Sequence, residues 1–253
     1  MKTTLSGSMD PAYVKARYDG FFADGTQDYA YDRWQRTPES VYHYERSLRA
    51  LTLALRGLRA ESALEVGCGD GVWTRIFLPH VGRLTCFDLS IEMLRHAQQK
   101  LSDVSTPIAF VQGDFVENAL PTASYDAIQA FRCFEYFSDK GAALDQFFRL
   151  LAPGGTLVLA TKCPQFDWRG YFAKRSLHQG IVEPRALCRS FRAHGFEIVD
   201  VLPAIVGKGL SYRFGRWFGR HLQAFLLRTR GWFPLILSRY VCESYVYVVR
   251  KPV

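Results

Sequence analysis

Three glycines at alternate positions, Gly67, Gly69 and Gly71, form the run Glu65-Val66-Gly67-Cys68-Gly69-Asp70-Gly71, which follows the apolar pair Ala63-Leu64. A short apolar strand that enters such a turn brings its backbone close to a ligand, because no Cβ holds the ligand off. The spacing is G-x-G-x-G and not the G-x-G-x-x-G that seats a pyrophosphate on a helix N-terminus, so an adenosine-type ligand fits better than a dinucleotide. Glu65 puts a carboxylate near the strand end, and Cys68 reads as a small neutral residue filling space in the loop. Asp88 closes a second apolar run, 83–87, near the spacing of about 20 residues at which an acid accepts both hydroxyl protons of a ribose. Asp114, in Gly113-Asp114-Phe115 after a third run at 109–112, is able to accept from an adenine amino group while Phe115 packs on the ring.

The intervening segments have the pattern needed to position these groups. Ser90 is a helix cap, and Met93, Leu94, Ala97 and Leu101 fall on one face of the helix it starts. A fourth strand at 125–130 runs into Phe131-Arg132-Cys133-Phe134-Glu135-Tyr136. A fifth at 156–161 follows the turn Leu150-Leu151-Ala152-Pro153-Gly154-Gly155. This strand-helix alternation predicts an α/β fold with a parallel sheet.

With these features in order, the chain resembles the class I S-adenosylmethionine-dependent methyltransferases over residues 45–201 and the last strand. The resemblance implies a Rossmann-like doubly wound sheet of seven strands, mostly parallel with the last antiparallel. It also implies S-adenosyl-L-methionine as cofactor. The roles carried over are the methionine end at Gly67 and Gly69, the ribose at Asp88, and the adenine at Asp114 and Phe115. Glu65, Cys68, Leu89, Met93, Gly113 and Phe131 complete the expected cofactor set. One departure is that many small-molecule members have Glu-His after strand four, where this chain has Glu135-Tyr136; a histidine base at that position is excluded.

With 253 residues and 48% hydrophobic content, the chain is able to bury one large core. The expected organisation is a disordered tail at 1–9, an N-terminal helical cap at 10–44, the core at 45–201, a basic helical insertion at 202–243 and the final strand at 244–253. Six cysteines are scattered, with no C-x-x-C and no His/Cys cluster at ligand spacing, so neither a disulfide framework nor a metal site is expected. The scattered thiols point to a reducing cytoplasm, and no apolar run of signal-peptide or membrane-spanning length is visible.

Residues 208–253 hold nine lysines and arginines against Glu243 alone, leaving 23 side chains of each sign in residues 1–207. The whole net charge of +8 therefore has one address. It falls on a connection of 42 residues between strands six (197–201) and seven (244–249), longer than a plain loop. Leu210, Phe214, Trp217, Phe218, His221, Leu222, Phe225 and Leu226 recur there at helical spacing, with Arg213, Arg216 and Arg220 on the opposite face. Three readings stay open: a stripe packed on the core, a lid whose arginines attract an anionic acceptor, or a helix lying on a membrane with Trp217, Phe218, Trp232 and Phe233 in the interface. Nucleic acid is not expected as a partner, since no recognition module is visible.

The segment before the sheet is rich in aromatic residues, of which Tyr18, Tyr31 and Trp34 are candidates to face the cofactor's sulfonium. Methyl transfer needs alignment, exclusion of water and, for a hydroxyl acceptor, removal of a proton. Glu135 at the mouth of strand four, and Asp167 and His178 after strand five, are the candidate bases. Trp168, Arg169, Tyr171 and Phe172 could contact an aromatic or anionic acceptor. The expected function is methyl transfer to a small-molecule or amphiphilic acceptor, most readily at a hydroxyl. The alternatives are a methyltransferase of a membrane-borne lipid or glycolipid intermediate, and a non-catalytic cofactor-binding assembly subunit.

Overall fold

The computed structural model describes residues 9–22, 28–163, 180–206, 208–229 and 241–253, the side chains of 208–215 excepted. Among these, seven strands form one sheet in the order β3-β2-β1-β4-β5-β7-β6. They are β1 (Ala60–Val66), β2 (Val81–Asp88), β3 (Ile108–Gln112), β4 (Tyr125–Phe131), β5 (Leu151–Lys162), β6 (Glu197–Pro203) and β7 (Ser244–Arg250). Strands β1 to β5 are parallel, and β7 runs antiparallel between β5 and β6. This is the fold class that the sequence predicts.

Alternation along the central strands divides the core in two. Leu64, Val66, Ile128 and Ala130 face one side, where they meet Leu144 and Phe147 of α6 (Lys140–Leu150) and Leu187 and Phe191 of α7 (Pro184–Ala193). Ala63, Ala127 and Phe131 face the other, against Leu51 of α3 (Pro38–Ala54) and Leu94 of α5 (Ile91–Lys100). Ser90 caps α5 as its sequence position suggests, its Oγ accepting from Met93 N at 3.2 Å.

Two local differences from the sequence reading have physical causes. The Leu-Ala-Pro-Gly-Gly turn is absorbed into β5: Tyr125 pairs with Leu151 but Ala127 with Thr156, a bulge that Gly154 accommodates at φ 77°. The expected boundary between cap and core at 44/45 lies inside α3. That helix starts at a capping box in which Ser40 N donates to Thr37 Oγ1 and Thr37 N to Ser40 Oγ, and it runs on without a break to Ala54.

The N-terminal segment supplies α1 (Pro11–Asp19) and α2 (Tyr29–Trp34), and the β6–β7 connection supplies α8 (Lys208–Arg228). The side chains of α8 are divided differently from the sequence reading. Gly219, Gln223, Leu226 and Leu227 are buried, whereas Trp217 and Phe225 are exposed at 68% and 53%, beside exposed Arg216, Arg220 and Arg228. A polar residue fastens the helix. Gln223 Nε2 donates to the carbonyls of Arg46, Pro203 and Ala204 at 3.0, 3.2 and 2.7 Å, and its Oε1 accepts from Arg46 Nη1 at 3.2 Å. The basic, tryptophan-bearing face is therefore left outward. The side chains of Leu210, Arg213 and Phe214, together with Trp232, Phe233 and the tail at 1–8, lie outside what is described.

Truncating Gln223 to alanine strands these buried partners. Gln223→Ala is expected to lose about 2–4 kcal/mol of unfolding free energy, read as a lower urea midpoint at unchanged m-value.

Candidate active site

The sheet order reverses between β1 and β4, and a cavity opens there at the C-terminal strand ends, beneath α1 and α2; with its mouth it encloses about 1060 Å³. Its floor is the glycine turn after β1. Gly67 has φ 67° and Gly69 φ 55°. A Cβ on Gly67 would overlap the Cys133 side chain, whereas one on Gly69 would meet nothing within 4 Å and would stand in the cavity space. Strand β2 holds the turn: Gly67 N donates to Phe87 O at 2.7 Å and Gly69 N to Asp88 Oδ2 at 2.8 Å. The other oxygen of Asp88 accepts from Ser90 N at 2.9 Å. Burial pushes the Asp88 carboxyl up, while these N–H donors favour its ionised form.

The predicted residues are distributed unevenly around this cavity. Gly67, Cys68 and Gly69 line its floor; Asp88, Leu89 and Met93 form the wall from β2 and α5. Gly113, Asp114 and Phe115 form the wall from β3, with Asp114 Oδ1 accepting from Val116 N at 2.9 Å. Phe131 and Glu135 line the β4 side, and Tyr18 and Trp34 the roof. Two candidates are corrected. Tyr31 is 53% exposed and outside the lining, because two residues along a helix turn a side chain to the opposite face; Tyr29 lines the cavity instead. Glu65 points inward beneath the turn, is buried, and its Oε1 accepts from Gln129 Nε2 at 2.8 Å. Its period-2 position faces it into the sheet rather than into the cavity. Asp167 and His178, with Trp168, Arg169, Tyr171 and Phe172, lie outside the described residues.

Around the predicted Tyr18 and Glu135 the structure adds residues that the sequence reading did not single out as site residues. Tyr18, Tyr29 and Tyr136 form an edge-to-face cluster, with ring centroids 6.0 Å (Tyr18–Tyr29) and 5.9 Å (Tyr18–Tyr136) apart. Burial pushes all three phenols up, Tyr29 to about 12, so they stay neutral donors. Asp70 ties the roof to the floor: its Oδ2 accepts from Ala30 N at 3.1 Å and from Lys100 Nζ at 2.6 Å, and Lys100 also reaches Asp28 at 2.9 Å. Asp19 of α1 accepts from Ser90 Oγ at 2.6 Å. On the β4 side, Thr161 Oγ1 donates to Glu135 Oε2 at 3.0 Å, and Arg132 Nε lies 3.4 Å from Glu135 Oε1. Arg33 also lines the cavity, within electrostatic reach of Tyr136.

A seven-stranded sheet in this order, with glycine turn, strand-two acid and strand-three acid around one cavity, narrows the comparison with known proteins. Residues 63–155 match the family model described as a methyltransferase domain. Over this stretch the chain is similar to methyltransferase domains. S-adenosylmethionine is the cofactor of that family. An uncharacterized methyltransferase of Mycobacterium tuberculosis is 31% identical over 119 residues, 47% of this chain and 57% of that protein. A malonyl-[acyl-carrier protein] O-methyltransferase of a Paenibacillus species is 36% identical over 107 residues, 40% of this chain and 38% of that protein. The chain thus spans between about a third and somewhat over half of the length of these relatives. Among solved structures, the N-methyltransferase NodS of Bradyrhizobium japonicum, in complex with S-adenosyl-l-homocysteine, superposes with a TM-score of 0.63 at 19% identity. That match covers 93% of this chain and 98% of NodS, and shows the shared fold.

Burial holds the Glu65 carboxyl at about 7, against an ordinary 4.5. Because the charged form is disfavoured only in the folded state, the stabilisation is complete below the unfolded value and is lost as pH rises through about 7, roughly 3 kcal/mol in all. Glu65→Gln is expected to abolish this decline, so that urea unfolding between pH 4 and 8.5 gives a flatter profile for the variant than for the wild type.

Proposed function

We propose that this protein transfers a methyl group from S-adenosylmethionine to an oxygen of a small-molecule or amphiphilic acceptor. The observation that carries this reading is the cavity in which the free space over Gly69 adjoins the Asp88 carboxylate, the apolar slot of Leu89, Met93 and Phe115, and a second, polar end at Glu135. When bound, the cofactor supplies a methyl group on a positively charged sulfur. The carboxylate of Asp88 has lone pairs left after its two N–H partners and would hold the ribose hydroxyls. Asp114 and Phe115 would take the adenine edge and face. The aromatic roof of Tyr18, Tyr29 and Trp34 would face the cation with ring electrons and exclude water.

Glu135 would take the acceptor's hydroxyl proton. Its Oε1 has no hydrogen-bond partner, while Oε2 is engaged by Thr161. The kinship with an O-methyltransferase supports oxygen as the accepting atom. Asp167 and His178 remain candidates for the acceptor side.

A second reading concerns where the protein works. The outward face of α8 combines Trp217 and Phe225 with Arg216, Arg220 and Arg228, the combination that suits an anionic lipid surface and an amphiphilic acceptor presented there. No helix among the described residues is long and apolar enough to cross a membrane.

Calorimetry with S-adenosylhomocysteine tests the first reading: saturable binding is expected, with NAD inactive as competitor, and Asp88→Ala weakening it by about 1.5–3 kcal/mol, the range for bonds to a charged group. Absence of binding, or an unaltered Asp88→Ala affinity, rejects it. For the second, sedimentation with vesicles containing phosphatidylglycerol is expected to pull down the wild type and several-fold less of Trp217→Ser/Phe225→Ser, whereas neutral vesicles leave both in solution. Equal recovery of the two proteins rejects the membrane reading.

A further inference from the structure

The residue that follows β4 is in an uncommon conformation. Arg132 has φ 64°, in the left-handed region that a residue with a Cβ rarely adopts, and its backbone N–H is fixed to Ala160 O at 2.8 Å. Such a conformation costs on the order of 1–3 kcal/mol and persists only where the surroundings enforce it. The consequence is that the side chain turns into the cavity wall instead of out to solvent. It is 93% buried, with 7% exposure, and lines the cavity. Neither Nε nor Nη1 has a hydrogen-bond partner, and the Oε1 of Glu135, 3.4 Å away, has none either. Buried donors on a permanently charged fork are costly to leave unmade.

Arg132 shares its surroundings with two other cations. Arg33 also lines the cavity, within electrostatic reach of Tyr136. Lys162 is pulled down to about 8, first by burial and next by the nearby Arg132, with Arg33 acting in the same direction. The acids facing this group are Glu135 and Glu243, the latter 3.7 Å from Lys162 Nζ. Among the described residues Arg33, Lys162, Glu135 and Glu243 share these surroundings, and Tyr18 and Tyr136 add neutral phenols. A buried guanidinium that lines an enclosed cavity and keeps donors without a hydrogen-bond partner, with two further cations near it, matches an oxyanion.

We propose that the acceptor carries a carboxylate or phosphate group, and that Arg132, assisted by Arg33, holds that group at the β4 end of the cavity. This deepens the methyltransferase reading and rests on it only for calling the ligand an acceptor. Arg132 is then a specificity residue: it selects acceptors by their anion and orients the oxygen to be methylated relative to Glu135.

The test uses the full chain, with and without S-adenosylhomocysteine, titrated with inorganic phosphate and separately with acetate at constant ionic strength, binding being followed by calorimetry. Saturable binding of at least one ion is expected in the wild type. It should weaken by about tenfold or more in Arg132→Gln and by a smaller factor in Arg33→Gln. Arg250→Gln, exposed at the end of β7, should bind like the wild type. A preference for phosphate over acetate identifies the phosphate class of acceptor, and the reverse identifies the carboxylate class. No saturable binding of either ion, or equal binding in wild type and both cavity variants, overturns the proposal. Should Arg132→Gln fail to fold, Arg33→Gln carries the comparison. Loss of S-adenosylhomocysteine binding in the wild type with the ion site intact would sink the methyltransferase reading and leave the oxyanion site standing.

Discussion

The structure depends on how the carboxylate of Asp88 and the carbonyl of Phe87, at the end of β2, hold the turn that leaves β1. Gly67 donates to one and Gly69 to the other, at 2.7 and 2.8 Å. These bonds compel the positive φ angles of the turn, and those angles are available because Gly67 has no Cβ to strike Cys133 at the start of the neighbouring loop. The same bonds oppose the effect of burial on Asp88, whose ionised form is stabilised by N–H groups in place of water. Everything around the cavity is then fastened to this frame. Asp70, the next residue of the turn, accepts from α2 and from Lys100 of α5, and Asp19 of α1 accepts from Ser90 at the start of α5. Floor, wall and roof are one hydrogen-bonded unit.

What could be read from sequence follows from locality. The turn at 67–71, the acid at Asp88 and the cap at Ser90 each depend on neighbours within a few residues, and such signals in order carry the resemblance that implied the seven-stranded sheet. Facing was harder to read. Tyr31 and Tyr29 differ by two positions in a short helix, and the sequence offers no hydrophobic rhythm there to say which looks inward. Glu65 illustrates the converse: a carboxylate within an apolar strand suggests a ligand, but strand alternation turns it under the turn to Gln129. In α8 the apolar stripe was visible, yet the anchor is Gln223, whose partners are backbone carbonyls of Arg46, Pro203 and Ala204. A glutamine that satisfies carbonyls has no sequence signature, since the carbonyls belong to every residue.

Arg132 was illegible for a related reason. A charged residue after a strand is ordinarily a solvated one, and only its left-handed backbone turns it inward. The local sequence Phe131-Arg132-Cys133 contains no glycine to announce that conformation. It is enforced from outside, by the bond to Ala160 on β5 and by the close passage of Cys133 over Gly67.

Parallel strands end at one edge of the sheet, so the residue after each strand is within reach of the residues after its neighbours. Here that arrangement places acids at the ends of β2 and β3, and Arg132 and Lys162 together with Glu135 at the ends of β4 and β5. The acids nearest the roof, Asp70 and Asp28, are already matched by Lys100; Asp88 is matched by backbone N–H groups. The cavity therefore has an end that suits hydroxyls and amines and an end where Arg132 keeps buried donors without a hydrogen-bond partner. For a transfer between a cationic donor and an acceptor bearing an anion, this division has a physical use. Each partner is desolvated against protein groups of the right sign, and their mutual attraction across a water-excluded space favours the approach that the reaction needs.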